Sequence, residues 1–127
     1  LEEGNVTELV SLLNPDLIVL AGFLLKIPKD FTSTFKDKIV NVHPSLLPKF
    51  GGKGMYGKHV HKAVIEAEET KSGITFHYVN ENYDEGNVIE QFECEIKKED
   101  SWEDLQIKIQ ELEHKYFPSV IENLLSQ

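Results

Sequence analysis

Two polar side chains at the end of a predicted strand are the leading candidates for chemistry. The segment KIVNVH, at 38–43, predicts a short apolar strand that ends with Asn41 and His43. Residues two apart on a strand point to the same face, so the amide and the imidazole are expected side by side. An amide N–H can hydrogen-bond a carbonyl oxygen as negative charge develops, and an imidazole can move a proton near neutral pH. The pair suits acyl transfer, but both residues could instead satisfy backbone groups of the following loop, and their types leave that role open.

The flanking elements place this pair at the edge of a sheet. The apolar run DLIVLA at 16–21 predicts another strand, buried on both faces as in a parallel sheet. Between the two strands, Pro28 marks a helix start and Phe31 and Phe35 repeat at helical spacing. Strand, helix and strand predict a βαβ unit with a right-handed crossover. Open α/β sheets bind ligands at the carboxyl ends of parallel strands, which is where Asn41 and His43 lie.

The remaining pattern predicts an antiparallel continuation of the sheet. Helical spacing predicts helices at 3–13 and 58–69, and alternation predicts paired antiparallel strands at 73–79 and 88–96. Asp100 or Ser101 is expected to cap a last helix that runs to about residue 125, with Pro118 kinking or dividing it. The apolar stripe predicted for this helix comprises Leu105, Ile109, Leu112, Tyr116, Val120 and Leu124. The order indicates an α/β domain whose sheet is parallel first and antiparallel later.

Composition narrows the classes of partner. The chain has 127 residues, which suits one domain, and its net charge of −9 disfavours nucleic-acid and anionic-membrane partners. No run is long enough for a membrane helix. Cys94 is the single cysteine, so no intrachain disulfide can form, and we expect a cytoplasmic location. His59 and His61 diverge on a helix and lack carboxylates or thiols at ligand spacing, so no metal site is predicted.

Asp84 lies in the predicted connection between the antiparallel strands, within the sequence YDEGN at 83–87. Aspartate and glycine are ordinary turn residues, so the position favours a structural role when it is considered in isolation. The same holds for Glu81 and Glu85. His77, on the strand before this connection, is expected to be a packed or exposed histidine without a function.

A family resemblance rests on several motifs. The string NVHPSLLPKF at 41–50 closely resembles the N-[IV]-H-P-S-L-L-P segment of the formyltetrahydrofolate-dependent formyltransferases. The same family's motifs are matched in register by AGF at 21–23, GITFHYV at 73–79, DEGNVI at 84–89 and EHKYFP at 113–118. The resemblance covers essentially the whole chain. It implies an open sheet of parallel strands followed by an antiparallel pair, with helices on both faces.

The resemblance also implies an activity and a set of site residues. The activity is transfer of a formyl group from 10-formyltetrahydrofolate, the co-substrate, to the amine of 5-phosphoribosylglycinamide in purine biosynthesis. Asn41 would polarise the formyl oxygen, His43 would donate a proton, and Asp84 would sit beside His43 and favour its protonated form. Gln110 and Glu113 match positions that hold the amine end of the substrate. The residues that match the folate pocket are Leu20, Leu24, Leu25, Lys26, Ile27, Phe31, Asn41, Val79, Asn80, Glu81, Asn82, Tyr83 and Asp84.

The chain departs from the family pattern in two places, and alternatives follow. The family's opening strand and its Gly-Ser-Asn phosphate loop have no match, so residues 1–127 are expected to be one catalytic domain without its N-terminal phosphate-binding part. The glycine-rich segment at 51–57 also differs from the family pattern. Without the N-terminal part, an unprotected sheet edge would allow self-association. One alternative is a formyltetrahydrofolate hydrolase, but that family more often has H-H-S-F-L-P at this segment. A second is formyl transfer to methionyl-tRNA, which the acidic net charge disfavours. A third is a non-catalytic folate-binding fragment.

Overall fold

The described part of the chain forms a mixed four-stranded sheet. A computed structural model describes residues 10–20, 29–52, 54–80 and 87–126. The strands, in both chain order and spatial order, are β1 (Ile18–Leu20), β2 (Ile39–His43), β3 (Lys71–Tyr78) and β4 (Val88–Glu95). β1 and β2 are parallel, whereas β2–β3 and β3–β4 are antiparallel. The predicted change from parallel to antiparallel pairing is confirmed.

In the described ranges, helices flank the sheet. They are α1 (Lys29–Thr34), α2 (Lys58–Glu66) and α3 (Trp102–Leu125), and residues 10–13 are also helical, as predicted for the end of the segment at 3–13. Ser101 caps α3, because its side chain accepts a hydrogen bond from the Asp104 N–H while the Asp104 carboxylate accepts one from the Ser101 N–H.

Helix α3 continues through Pro118, so no break occurs there. Apolar residues on both sides of the proline pack the two halves against the sheet, since Leu105, Ile109 and Val120 are all buried in the same core. Most helical stability in proteins comes from packing of this kind, which here offsets the hydrogen bond that proline cannot donate.

Two apolar cores cover opposite faces of the sheet. Alternation along β2 directs Ile39 to one face and Val42 to the other. Ile39 packs with Phe31 and Phe35 of α1, whereas Val42 joins a larger core with β3 and the two longer helices. The buried members of that larger core are Val42, Val60, Val64, Ile74, Phe76, Leu105, Ile109 and Val120. Helices therefore lie on both faces, as expected, and the face of β2 that carries Ile39 also carries Asn41 and His43.

A glycine on β3 lets the loop after β2 lie directly on the sheet. A Cβ atom at Gly73 would stand 2.0 Å from the carbonyl oxygen of Phe92 and 2.7 Å from Cδ2 of Leu46. Both contacts are far closer than packed atoms allow, and one involves backbone that cannot rotate away. The absence of a side chain at this position is thus required mainly by the close approach of the Phe92 carbonyl of β4, and it also leaves room for the Leu46 side chain.

Gly73→Ala should destabilise the fold by about 2–3 kcal/mol through overpacking. Gly54→Ala is the comparison, because its backbone has φ of 85° with open space around it, and the expected cost there is the smaller strain of a left-handed alanine, about 1 kcal/mol. Urea unfolding of both variants measures the difference. An equal loss in the two would contradict the close packing of the Phe92 carbonyl and Leu46 around Gly73.

Candidate active site

A partly buried amide and two buried histidines meet on one face of the sheet. The register of β2 and β3 places Asn41 opposite His77 and His43 opposite Thr75. The Asn41 Nδ2–H donates to Nε2 of His77 over 3.5 Å, and the His77 Nδ1–H donates to the carbonyl of Tyr78 over 3.1 Å. In this geometry Nδ1 of His77 carries a proton and Nε2 is the acceptor. These two contacts orient the Asn41 amide and leave its second N–H for another acceptor.

The oxygen of the same amide is an unusual feature. Oδ1 of Asn41 is buried and accepts no hydrogen bond from the described residues. A buried polar atom without a partner is costly, and such atoms concentrate where a ligand supplies the missing contact. Asn41 can therefore offer a donor and an acceptor to a bound molecule at once.

His43 is held by the loop that follows it. The ring is 4% exposed, and its Nε2–H donates to the carbonyl of Phe50 over 2.8 Å. Because a carbonyl oxygen can only accept, Nε2 carries a proton, and Nδ1 is the candidate ring nitrogen for proton transfer. The loop thus determines which ring nitrogen performs proton transfer.

Apolar residues expected to line a ligand pocket gather beside this amide. Phe31 is buried in the core of α1 and β2, and Leu20 and Val79 pack against that core. In the parallel register Leu20 lies next to Asn41, and the Val79 N–H bonds the carbonyl of Ile39. Asn80 follows and is exposed. The three apolar wall residues therefore share one neighbourhood on the face that carries the amide.

Several predicted residues lie outside the described part of the chain. Asp84 is one of them, so its predicted place beside His43 stays a prediction. The same holds for folate-pocket residues Leu24, Leu25, Lys26, Ile27, Glu81, Asn82 and Tyr83.

The predicted amine-binding residues lie on α3. Gln110 is exposed, and Glu113 is partly buried beside a cavity of about 280 Å³ that it lines with His114, Phe117 and Pro118. Burial raises the pKa of Glu113 above its usual value, and the nearby His114 lowers it in part. The role of the two α3 residues in binding an amine also stays a prediction.

Two histidines beside the candidate pair were not predicted to matter. His77 contacts Asn41 directly, and only the strand register reveals this, because the sequence places His77 on a strand without saying what it faces. His61 is buried on α2, and its Nδ1 has no hydrogen-bond partner among the described residues. Burial lowers the pKa of His61 below its usual value, and the positive charge of nearby His43 lowers it further.

Comparison with known proteins places this arrangement in a family. The family model described as Formyl transferase matches residues 1–121. The chain belongs to the formyl transferase family. It is 42% identical over 118 residues to the chloroplastic phosphoribosylglycinamide formyltransferase of Arabidopsis thaliana, covering 91% of this chain and 40% of that protein. It is 40% identical over 123 residues to the Bacillus subtilis phosphoribosylglycinamide formyltransferase, covering 97% of this chain and 60% of the relative.

Solved structures agree with the sequence relatives. The fold superposes on the crystal structure of phosphoribosylglycinamide formyltransferase from Bacillus halodurans with a TM-score of 0.86 and 36% identity, over 96% of this chain and 60% of that one. The match confirms the predicted formyltransferase-like sheet. The chain spans from 36% to 60% of the length of the first four curated relatives.

Among the helices of the described ranges, none is both long and apolar enough to cross a bilayer. Within the same residues, no group of three or more His, Cys, Asp or Glu side chains could hold a metal ion.

His61 should make the fold sensitive to acid. Its folded pKa is lowered, so the unfolded chain takes up a proton near pH 6.5 before the folded chain does. Stability should therefore fall as pH drops below that value, by up to about 1.4 kcal/mol per pH unit. His61→Leu should remove this part of the loss, measured by urea unfolding between pH 7.5 and 5. His59→Leu, at an exposed position of the same helix, is the control. Parallel pH curves for wild type and His61→Leu would contradict the assignment.

Glu113 should have the opposite pH dependence. Its folded pKa is raised, so its favourable contribution exists below the unfolded pKa and is lost as pH rises through the folded value. We expect Glu113→Gln to have a higher Tm than wild type at pH 7, with the difference shrinking toward pH 4. Glu111→Gln replaces an exposed carboxylate on the same helix and should show no such trend. A constant Tm difference across this range would rule out the buried carboxylate as its cause.

Proposed function

We propose that this chain carries the catalytic face of a phosphoribosylglycinamide formyltransferase, which moves a formyl group from 10-formyltetrahydrofolate to the amine of 5-phosphoribosylglycinamide. The observation that carries the proposal is the partly buried Asn41 amide, oriented by His77 and with a buried, unsatisfied oxygen, on the same strand face as buried His43. Family membership and the names of the relatives support the same reaction.

In this reaction one C–N bond forms and another breaks. The substrate amine attacks the formyl carbon, and the bond from that carbon to N10 of the folate breaks. Negative charge develops on the formyl oxygen between these events, and the second Asn41 N–H is the donor proposed to stabilise it. The buried Oδ1 of Asn41 is a suitable acceptor for an N–H of the attacking amine, which would also satisfy that atom.

Proton movement is assigned to His43. The amine loses a proton as the new bond forms, and N10 gains one as it leaves. Because Phe50 accepts the Nε2–H of His43, Nδ1 is the nitrogen proposed to deliver the proton to the leaving nitrogen. Asp84 is proposed to stand beside the ring and favour its protonated form, as the family pattern implies.

Other residues are proposed to bind the folate and the substrate amine. The apolar cluster containing Leu20, Phe31 and Val79 is the proposed wall for the folate ring system. Gln110 and Glu113 are proposed to hold the amine end of the substrate, with no metal involved. The cytoplasmic location stays a prediction, and the Arabidopsis relative is named as chloroplastic.

Asn41→Ala and His43→Ala should each lower kcat for formyl transfer by about 10²–10³, because each removes a group that acts on developing charge or on the transferred proton. Asn123→Ala and His59→Ala replace the same residue types at exposed positions and should retain wild-type rates. The assay follows conversion of 10-formyltetrahydrofolate with phosphoribosylglycinamide as acceptor, in the 127-residue chain and in the complete open reading frame.

The products separate this function from its alternatives. Formyl transfer yields formylated glycinamide ribonucleotide, whereas a hydrolase yields formate whether or not the acceptor is present. Formate release independent of the acceptor would replace the transferase proposal with the hydrolase. Folate binding without either product in the complete open reading frame would indicate a binding protein.

A further inference from the structure

A buried hydroxyl on β3 ties the loop after His43 to the sheet. Oγ1 of Thr75 donates to the carbonyl of Ser45 over 2.7 Å and accepts the N–H of Leu47 over 3.1 Å. It also accepts a hydrogen bond from Nε2 of Gln91 over 3.0 Å, and that amide donates in turn to the carbonyl of Leu47 over 2.8 Å. Thr75 is 0% exposed. The Thr75 hydroxyl thus uses its one donor and both acceptor positions in bonds to the loop and to Gln91.

The same loop ends at the group that holds His43. The Ser45 side chain is also fully buried, and its Oγ–H is 2.7 Å from the carbonyl of Lys49 and 3.4 Å from that of Phe50. Phe50 has φ of 56°, a left-handed conformation that bulky residues rarely adopt. Its carbonyl is thereby directed at His43 Nε2, 2.8 Å away. Strain of this kind persists when surrounding contacts over-determine it.

We propose that Thr75 is a positioning residue for His43: its hydroxyl fixes the 45–50 loop so that the Phe50 carbonyl holds the Nε2 proton and directs Nδ1 to proton transfer. The kinetic part of this inference rests on the proposed function, whereas the tautomer of His43 does not. Gln91 acts as an outer brace from β4. Thr75 touches neither the proposed substrate nor the reacting atoms.

The antiparallel register places the hydrogen bonds of Thr75 next to His43. Thr75 lies directly opposite His43, so the side chain that fixes the loop and the side chain that the loop orients are cross-strand neighbours. A displacement of the loop would therefore reach the ring without passing through any other element. Misplacement of a catalytic group by about 1 Å can cost about a hundredfold in rate.

The test compares two substitutions at the same position. Thr75→Val keeps the shape and removes the hydroxyl, which leaves the Ser45 carbonyl and the Leu47 N–H without their partner. Thr75→Ser keeps the hydroxyl. Thr70→Val makes the same chemical change at an exposed position just before β3 and is the control. Gln91→Leu removes the amide that bonds Thr75 and Leu47. Because Gln91 is exposed on β4, this substitution should disturb folding less than one at buried Thr75.

Two readouts are needed, both in the complete protein. Nitrogen-15 shifts of the His43 ring, assigned by loss of signals in His43→Gln, report which nitrogen carries the proton. Steady-state kinetics separate kcat from KM. We expect Thr75→Val to mix the two tautomers and to lower kcat by about ten- to a hundredfold with little change in KM for the folate. Thr75→Ser should be close to wild type, and Gln91→Leu should change both readouts in the same direction but less.

The outcomes distinguish this inference from the proposed function. Wild-type His43 shifts and wild-type kcat in Thr75→Val overturn the positioning role. If Thr75→Val does not fold, unchanged shifts and kcat in Gln91→Leu overturn it instead. A wild-type protein that transfers no formyl group would refute the proposed function, yet the shift of the His43 tautomer in Thr75→Val would still decide the structural half of the inference.

Discussion

Antiparallel pairing of β2 with β3 sets His77 opposite Asn41 and Thr75 opposite His43. Each polar residue of the candidate site is thus oriented by the residue across from it, directly for Asn41 and through the loop for His43. A slip of one residue in this register would turn β3's polar side chains toward the apolar core on the other face. The large buried residues Ile74 and Phe76 prevent that slip, since they alternate with Thr75 and His77 and must stay in the core. The hydrophobic pattern of one face therefore secures the chemistry of the other.

The 45–50 loop orients the side chain of His43 on this pair of strands. It crosses β3 where Gly73 provides space, and its backbone groups bond to Thr75 and Gln91. Its far end supplies the carbonyl that fixes His43. Buried hydrogen bonds hold this loop together with apolar packing, since Leu47 is buried and Phe50 packs against the larger core. Such networks specify one conformation when every member is satisfied.

The outer edges of the described sheet differ in character. β4 exposes Glu90, Glu93 and Glu95, and like charges on an outer strand discourage pairing with another chain. On the side of β1, Leu12 and Leu13 are 83% and 79% exposed. This asymmetry agrees with the expected self-association through the β1 side, which stays a prediction.

The sequence by itself determined the element order, the change from parallel to antiparallel strands, a cap of the last helix at Asp100 or Ser101, and the candidate pair Asn41 and His43. These depend on local periodicity, capping chemistry and a long motif, all of which are readable along the chain. It did not reveal His77 beside Asn41, the hydroxyl of Thr75 under the loop, or the burial of His61. Each of these depends on strand register or helix packing, which bring together residues as far as 36 positions apart. Continuity of α3 through Pro118 was likewise decided by tertiary packing, because the core on both sides of the proline outweighs its local cost.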